Sequence, residues 1–256
     1  MSRLAEAFRV VLAVARGVRE HEVEYPAASL AYYGFISLFP LLVLVLAVLS
    51  QPAAEAIRTA TPSYLTPSTR QLVYEATADQ TGRTGAIVLS GVVLLWSGTH
   101  LTLGFRSVVE RAEGTDGGSF LALLRDAVCI VGSLGLAVVS IVFASAFFST
   151  FLPPSAVVGV GLFTVLTVVF LPLYYVPSRL VTSLRAALPG AVLAAAGWAA
   201  LLGVVHLYSV NADQYAVFGA ISGIIIVLTS VYSGAMLLFV GVVLNATLAS
   251  RRRSAA

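Results

Sequence analysis

Long apolar stretches separated by short polar segments make up most of this chain. Six of them are about 20 residues or longer, enough at about 1.5 Å per residue to cross a hydrocarbon core of about 30 Å. No water reaches such a core, so each crossing segment must satisfy its own backbone hydrogen bonds as a helix. The pattern therefore predicts an all-α, polytopic membrane bundle with six transmembrane helices. The six stretches run near Ala27–Ser50, Thr84–Val108, Phe120–Phe148, Ser155–Tyr175, Ala187–Tyr208 and Phe218–Leu248.

The composition excludes a soluble globular protein. Hydrophobic residues make up 59% of the 256 residues, charged residues make up 11%, and the mean hydropathy is +0.95. Soluble domains carry about 25% charged residues, so a soluble form of this chain would expose a large apolar surface. The spans and their connections predict one transmembrane domain over residues 25–250. The formal net charge of +3 is too small to indicate nucleic-acid binding, and the partners we expect are membrane lipids.

Three further segments flank or interrupt this domain. Residues 1–24 have an amphipathic pattern, for which two arrangements fit: a helix in the headgroup plane, or a solvated helix packed on the bundle. The polar segment 51–83 is expected to cap the bundle on the extracytoplasmic membrane surface. Residues 251–256 form a basic tail. The apolar face of the first segment comprises Leu4, Phe8, Val11, Leu12 and Ala15.

The arginines predict the orientation of the bundle. All 15 basic residues are Arg, and an even number of spans places both termini on one side. If that side is the cytoplasm, only Arg58, Arg70 and Arg83 lie outside, so 12 of the 15 (15 − 3) lie inside. Cytoplasmic loops carry the excess of basic residues in membrane proteins. The distribution predicts a multi-pass plasma-membrane protein with both termini in the cytoplasm.

One histidine lies deep in the second span, within the sequence Trp96-Ser97-Gly98-Thr99-His100. Ionisable groups at membrane depth are costly and often functional, so His100 could line a polar cavity together with Ser97 and Thr99. The alternative is a neutral histidine hydrogen-bonded between helices or placed at the inner interface.

Two further features of the spans affect their packing. Arg106 and Asp126 lie near the cytoplasmic border of neighbouring spans, where they could form an ion pair or each snorkel to the interface. Pro40 lies in the middle of the first span and should kink it, and a hydroxyl such as that of Ser37 could satisfy the freed carbonyl.

Three blocks of sequence resemble a known family. They are LAYYGFISLFPLL at Leu30–Leu42, YYVPSRLVTSLRAALPGAVLAAAGW at Tyr174–Trp198, and the stretch Tyr208–Leu248. In their order and spacing they resemble the YihY/BrkB family of inner-membrane proteins, once mislabelled ribonuclease BN, and the resemblance covers most of the chain. It implies a six-helix protein with both termini inside and, loosely, transport of a lipid-linked or small solute.

The chain departs from the family pattern at two positions in its last span. Ser230 stands where the family often has Trp, and Val243 stands where it often has Glu. Because Val243 cannot ionise, the resemblance does not carry a last-span carboxylate for protons or ions into this chain.

Helix breaks and small residues complete the candidate set. Pro177, Arg179, Pro189 and Gly190 match the family block between the fourth and fifth spans, where they are either ordinary helix boundaries or breaks that expose helix ends to a substrate. Gly219 begins a small-xxx-small pattern that favours helix contact. An outer rim is expected at Asn211, Asp213, Gln214 and Tyr215. The candidate lining and helix-break residues are His100, Ser97, Thr99, Arg106, Pro40, Pro177, Arg179, Pro189, Gly190, Tyr215, Gly219 and Asn245.

The sequence contains no pattern for catalysis or for binding a metal or cofactor. Phosphodiester hydrolysis usually needs clustered Asp, Glu or His around a metal, whereas the three histidines, His21, His100 and His206, are scattered. We therefore expect a permease or flippase for a lipid-like or small amphiphilic substrate. The alternative is a non-transporting scaffold for envelope integrity or for a partner complex.

Overall fold

The computed structural model of the chain is all-helical over the residues it describes, which are 3–48, 80–115, 118–151, 156–210 and 219–254. This confirms the predicted fold class. The expected rim at Asn211, Asp213, Gln214 and Tyr215, and residues 51–79 of the expected cap, lie outside the described residues. The helices are α1 (Arg3–Glu20), α2 (Glu24–Val48), α3 (Gln80–Glu113), α4 (Phe120–Phe151), α5 (Ala156–Tyr175), α6 (Leu184–Val210) and α7 (Gly219–Ser254).

Five of these helices are long and apolar enough to cross a membrane: α2, α3, α4, α6 and α7. The remaining apolar helix, α5, contains the shorter apolar stretch Gly159–Tyr175. Its 20 residues amount to about 30 Å of helix, close to the thickness of a hydrocarbon core. The chain is thus a multi-pass helical membrane protein, and the count of six spans stays a prediction.

Prolines and caps set several helix boundaries. α5 ends at Tyr175, just before Pro177, as the sequence predicts. Ser183 precedes α6 and its hydroxyl accepts a hydrogen bond from the Ala186 N–H. α2 continues through Pro40. The expectation for Ser37 was wrong: its hydroxyl donates to the Gly34 carbonyl at 2.7 Å, one turn back, and not to the Ile36 carbonyl that a proline at position 40 frees.

The six apolar helices form a closed ring in the order α3, α2, α7, α6, α5, α4 and back to α3. α1 does not join the ring but lies antiparallel along the end of α7, with Gly17 against Val243. Of the two arrangements considered for residues 1–24, the structure shows the one packed on the bundle. The expected boundary of a tail at residue 251 was wrong, because α7 continues as helix through Arg253, and basic residues in a last turn complement the helix dipole.

Arginine contacts bring several chain segments to one end of the bundle, which we call the base; the opposite end is the far end. Arg251 donates to the Arg9 carbonyl at 3.2 Å, which places the first and last helices together. Arg111 donates to the His21 carbonyl at 3.0 Å. The far end is where α2 ends and α3 begins.

A glycine seam joins α6 to α7. Gly190 faces Gly241, so closely that a Cβ on Gly190 would lie 2.6 Å from the Gly241 carbonyl oxygen. One heptad along, a Cβ on Gly197 would lie 2.6 Å from Leu237, and one on Gly234 would lie 2.4 Å from the Trp198 ring. A seven-residue repeat on both helices is typical of a left-handed antiparallel crossing. The seam makes α6 and α7 one closely packed unit.

The core is concentrated in the base half of the ring. Buried apolar side chains lie in 101–109, 130–137, 166–174, 187–195 and 235–249. In the far segments 32–44, 84–96, 159–165, 196–207 and 224–233, Ser90 is the one described side chain that is buried, and the others are half-buried or exposed. The helices therefore pack closely at the base and more loosely toward the far end.

Candidate functional site

A buried charge cluster joins α3 to α4 at the base. Arg106 Nη1 lies 3.6 Å from Asp126 Oδ2, and Arg106 Nη2 lies 2.9 Å from Glu110 Oε1. The Arg106 and Asp126 side chains are 11% and 4% exposed. A second guanidinium, that of Arg125, lies 2.9 Å from Asp126 Oδ1. Of the two arrangements that the sequence left open, the structure shows the ion pair, in which each charge has partners of opposite sign.

The loop between α5 and α6 is held by one acid and one base. Arg125 donates to the Val176 carbonyl at 2.9 Å. The Glu113 carboxylate accepts from the backbone N–H of Arg179 at 2.7 Å and of Leu180 at 3.2 Å, and also from the Ser178 hydroxyl. An acid at the C-terminal end of α3 is unfavourable beside the helix dipole. Charged hydrogen bonds to backbone N–H groups offset that cost, so Glu113 fixes the loop against α3.

Two side chains bind the α6–α7 seam from within. Asn245 Oδ1 accepts from the Gly190 N–H at 2.8 Å, and Asn245 Nδ2 donates to the Ala187 carbonyl at 3.0 Å. The Tyr174 hydroxyl of α5 donates to the Leu238 carbonyl at 2.9 Å. Pro189 has no N–H of its own and leaves one α6 carbonyl without its usual partner. Asn245, a candidate lining residue, is thus a buried interhelical clamp.

The base contains a small polar cavity of about 10 Å³. It lies between the Glu113-bound loop and the Asn245 clamp, and its polar lining comes from Glu113, Tyr174, Ser178 and Asn245. That volume has space for about one water molecule. The base is therefore closed to anything larger.

The three polar residues of the second span do not converge on one cavity. His100 stacks on Tyr33 of α2 with ring centroids 4.4 Å apart, and its Nδ1 lies 2.9 Å from the Trp96 carbonyl oxygen. Ser97 is fully buried and its hydroxyl has no hydrogen-bond partner among the described residues. Thr99 is exposed and donates to the Leu95 carbonyl at 2.8 Å. His100 thus takes the interhelical arrangement that the sequence offered as the alternative.

Comparison with known proteins follows this geometry. The family model described as virulence factor BrkB matches residues 14–256. The chain belongs to the BrkB family. A relative named as a ribonuclease-like protein, YfkH of Bacillus subtilis (strain 168), is 28% identical over 254 residues, which cover 91% of this chain and 92% of the relative. No solved structure matches the chain.

Two family-related positions can be placed in this BrkB-family chain. Val243, where the resemblance predicts a glutamate, packs against Gly17 of α1. Arg179 is exposed, and its Nη2 would lie 2.9 Å from a Cβ on Gly118; Arg106 Nη2 would lie 3.7 Å from the same Cβ. Two guanidinium groups therefore converge on the backbone of the loop before α4.

The other candidates are structural, or lie where the structure describes little. Pro177 and Pro189 lie at the loop and the first turns of α6, and Pro40 is half-buried within α2. Gly219 begins α7, and Tyr215 lies outside the described residues. Among the described residues no group of three or more His, Cys, Asp or Glu could hold a metal ion.

Sequence reasoning missed Tyr174 and Glu113. Tyr174 is fully buried with its hydroxyl on another helix, and nothing local distinguishes it from the exposed Tyr175. Glu113 carries a usable signal, since an acid in the last turn of a helix requires a compensating donor. The identity of that donor depends on a contact 65 residues away.

Proposed function

We propose that this BrkB-family protein is a plasma-membrane permease or flippase for a lipid-like or small amphiphilic substrate, with both termini in the cytoplasm. The supporting observation is the uneven packing of the ring: the described side chains of the far half are half-buried or exposed, apart from Ser90, whereas the base is closed. A protein that moves a substrate across a membrane needs a path that is open toward one side and closed toward the other.

The chemistry of the walls favours an amphiphile as the substrate. Side chains of the far half are mostly aliphatic, with aromatic groups at Tyr33 and Trp96, whose ring centroids are 5.2 Å apart. The buried charges at the base are paired with each other. Such walls solvate an acyl chain better than a hydrated ion, because an ion would need compensating polar groups at membrane depth.

We also propose that the chain does not hydrolyse nucleic acid, although its relative YfkH is named as ribonuclease-like. Nuclease chemistry needs acids that are free to hold a metal or activate water. The buried acid Asp126 is occupied by two guanidinium groups, and Glu113 by backbone N–H groups. Neither carboxylate is available for that chemistry.

A scaffold role is the second candidate, and the outer face of α1 favours it. Phe8, Val11 and Leu12 are exposed on the face opposite the one that packs on α7. An apolar helix face of this kind could hold a partner protein. A scaffold would retain such a partner during purification and would move no lipid.

Reconstitution into liposomes tests the proposed function. Phospholipid carrying a fluorophore on its headgroup is placed in both leaflets, and a membrane-impermeant reductant bleaches the outer leaflet. We expect the protein to bring inner-leaflet fluorophore to the reductant in proportion to the protein per vesicle. Liposomes holding an equal mass of an unrelated polytopic protein are the control. Bleaching that stops at the outer leaflet for both neutral and anionic headgroups, and for a single-chain amphiphile, would contradict the proposal.

A further inference from the structure

The junction between α3 and α4 is closed only near the base. The Arg106–Asp126 pair joins the two helices at 3.6 Å. About two turns farther from the base, a Cβ on Gly98 would lie 3.4 Å from Val131 Cγ2, which is ordinary contact. These two points define the closed part of the junction.

Beyond Gly98 the two helices separate. Gly91 lies one heptad before Gly98 and so on nearly the same face of α3, yet a Cβ there would have nothing within 4 Å. The glycine seam of α6 and α7 is the opposite case, since each of its four glycines would clash with the facing helix. The ring is thus tight on one side and parted on the other.

Exposure along a single stripe of α3 shows where the helices part. Residues 106, 102, 98, 95, 91 and 88 follow one another at helical spacing on the face toward α4. Thr102 is 1% exposed, whereas Leu95 is 75% and Val88 is 61% exposed. On α4, Val142 lies on the facing stripe, three turns beyond Val131, and is 62% exposed. The junction is therefore a V-shaped cleft with apolar rims that opens toward the far end.

The size and depth of this cleft fit one occupant. From Gly98 to Thr84 the helix rises through 14 residues, about 21 Å, which exceeds the roughly 15 Å depth of one leaflet of the hydrocarbon core. At that depth the surrounding solvent is lipid. The rims offer aliphatic side chains, and the charges at the closed end are already paired.

We propose that the α3–α4 cleft binds the acyl chain of a lipid from the far leaflet and is the lateral portal by which that lipid reaches the interior of the ring. The Arg106–Asp126 pair holds the closed end of the portal. The portal role rests on the proposed function. The acyl-chain site does not, because it can be occupied whether or not lipid is moved.

Two glycines of α3 provide a matched pair of variants. Gly91→Trp places a large side chain in the cleft, and Gly104→Trp places the same side chain on another face of the same helix. A Cβ at either position has nothing within 4 Å, so both variants should fold, and Gly91→Leu is a milder cleft-filling variant. Thermal unfolding in detergent checks that all three match the wild type.

Both variants are measured for lipid flux and for photolabelling by a phospholipid with a diazirine in the middle of one acyl chain. We expect Gly91→Trp to slow flux at least about tenfold, since a side chain in a filled site displaces its occupant, and to remove the label from the stripe near Leu95. Gly104→Trp should change neither. Equal labelling and flux in the two Trp variants would overturn the proposal. If the wild type moves no lipid, the proposed function fails, and loss of label in Gly91→Trp alone would still establish the acyl-chain site.

Discussion

Buried polar side chains in this protein join helices, and each meets a defined partner. Asn245 joins α7 to the backbone of α6, and Tyr174 joins α5 to the backbone of α7. Close approach of the backbones is possible because Gly190 and Gly241 have no side chain at the crossing. The clamp and the glycines therefore depend on each other, since a wider crossing would break the Asn245 hydrogen bonds.

This dependence gives a prediction at residue scale. Gly190→Ala should destabilise the protein by about 1–3 kcal/mol, because the added methyl group would overlap Asn245 and the Gly241 carbonyl in a packed interior. Gly203→Ala, on the same helix in open space, should be neutral or stabilising by about 0.5–1 kcal/mol through helix propensity. Unfolding in a detergent titration measures both. Equal stability of the two variants would show that the crossing is not tightly constrained.

The partners of these residues could not be read from the sequence. Asn245 was identifiable as a polar residue in an apolar span, but the groups it binds lie 55 and 58 residues away. Likewise, His100 was recognisable as unusual, while its stacking on Tyr33 depends on how α2 and α3 meet. A polar residue in an apolar helix indicates that a partner exists, and the packing of the helices decides which one.

At the scale of helices, the hydrophobic pattern predicted existence well and ends less well. Length and apolarity determine which segments must be helical in a membrane, so each predicted span corresponds to an observed helix. Hydropathy does not locate the end of a helix that continues past the membrane border. For this reason α3 extends to Glu113 and α7 to Ser254, beyond the expected ends at Val108 and Leu248.

The ion pair between α3 and α4 gives a prediction at this scale. Arg106→Asp should lower the yield of folded protein, because it places a second acid beside Asp126 in a buried site. Breaking a buried pair costs about 3–5 kcal/mol. The exchanged double variant, Arg106→Asp with Asp126→Arg, should recover part of that loss. Folded yield after detergent extraction, judged by gel filtration, is the measurement, and no recovery in the double variant would argue that the two charges are not coupled.

For the whole molecule, the ring order and the gathering of both chain ends at the base determine what the bundle can do. The α6–α7 unit is joined by the glycine seam, whereas the α3–α4 junction is held by charges at one end and parts at the other. The sequence indicated a bundle, but it could not indicate which neighbours are tight, because that depends on contacts between segments far apart in the chain.

The orientation of the bundle is testable directly. A reporter that is active only in the cytoplasm, fused after Arg253, should be active, because 12 of the 15 arginines lie in the segments assigned to that side and basic loops are retained inside. The same reporter inserted after Arg70 should be inactive. Activity of the second fusion without the first would reverse the assignment of the base to the cytoplasm.

The unequal lengths of the helices have a consequence for the surrounding membrane. α7 has 36 residues and α5 has 20, so at about 1.5 Å per residue one is about 54 Å long and the other about 30 Å. A bilayer of uniform thickness cannot match both. Lipids beside α5 must thin in any membrane whose hydrocarbon layer exceeds about 30 Å, and this hydrophobic mismatch has an energetic cost. The protein therefore deforms its own lipid annulus on the side of its shortest helix.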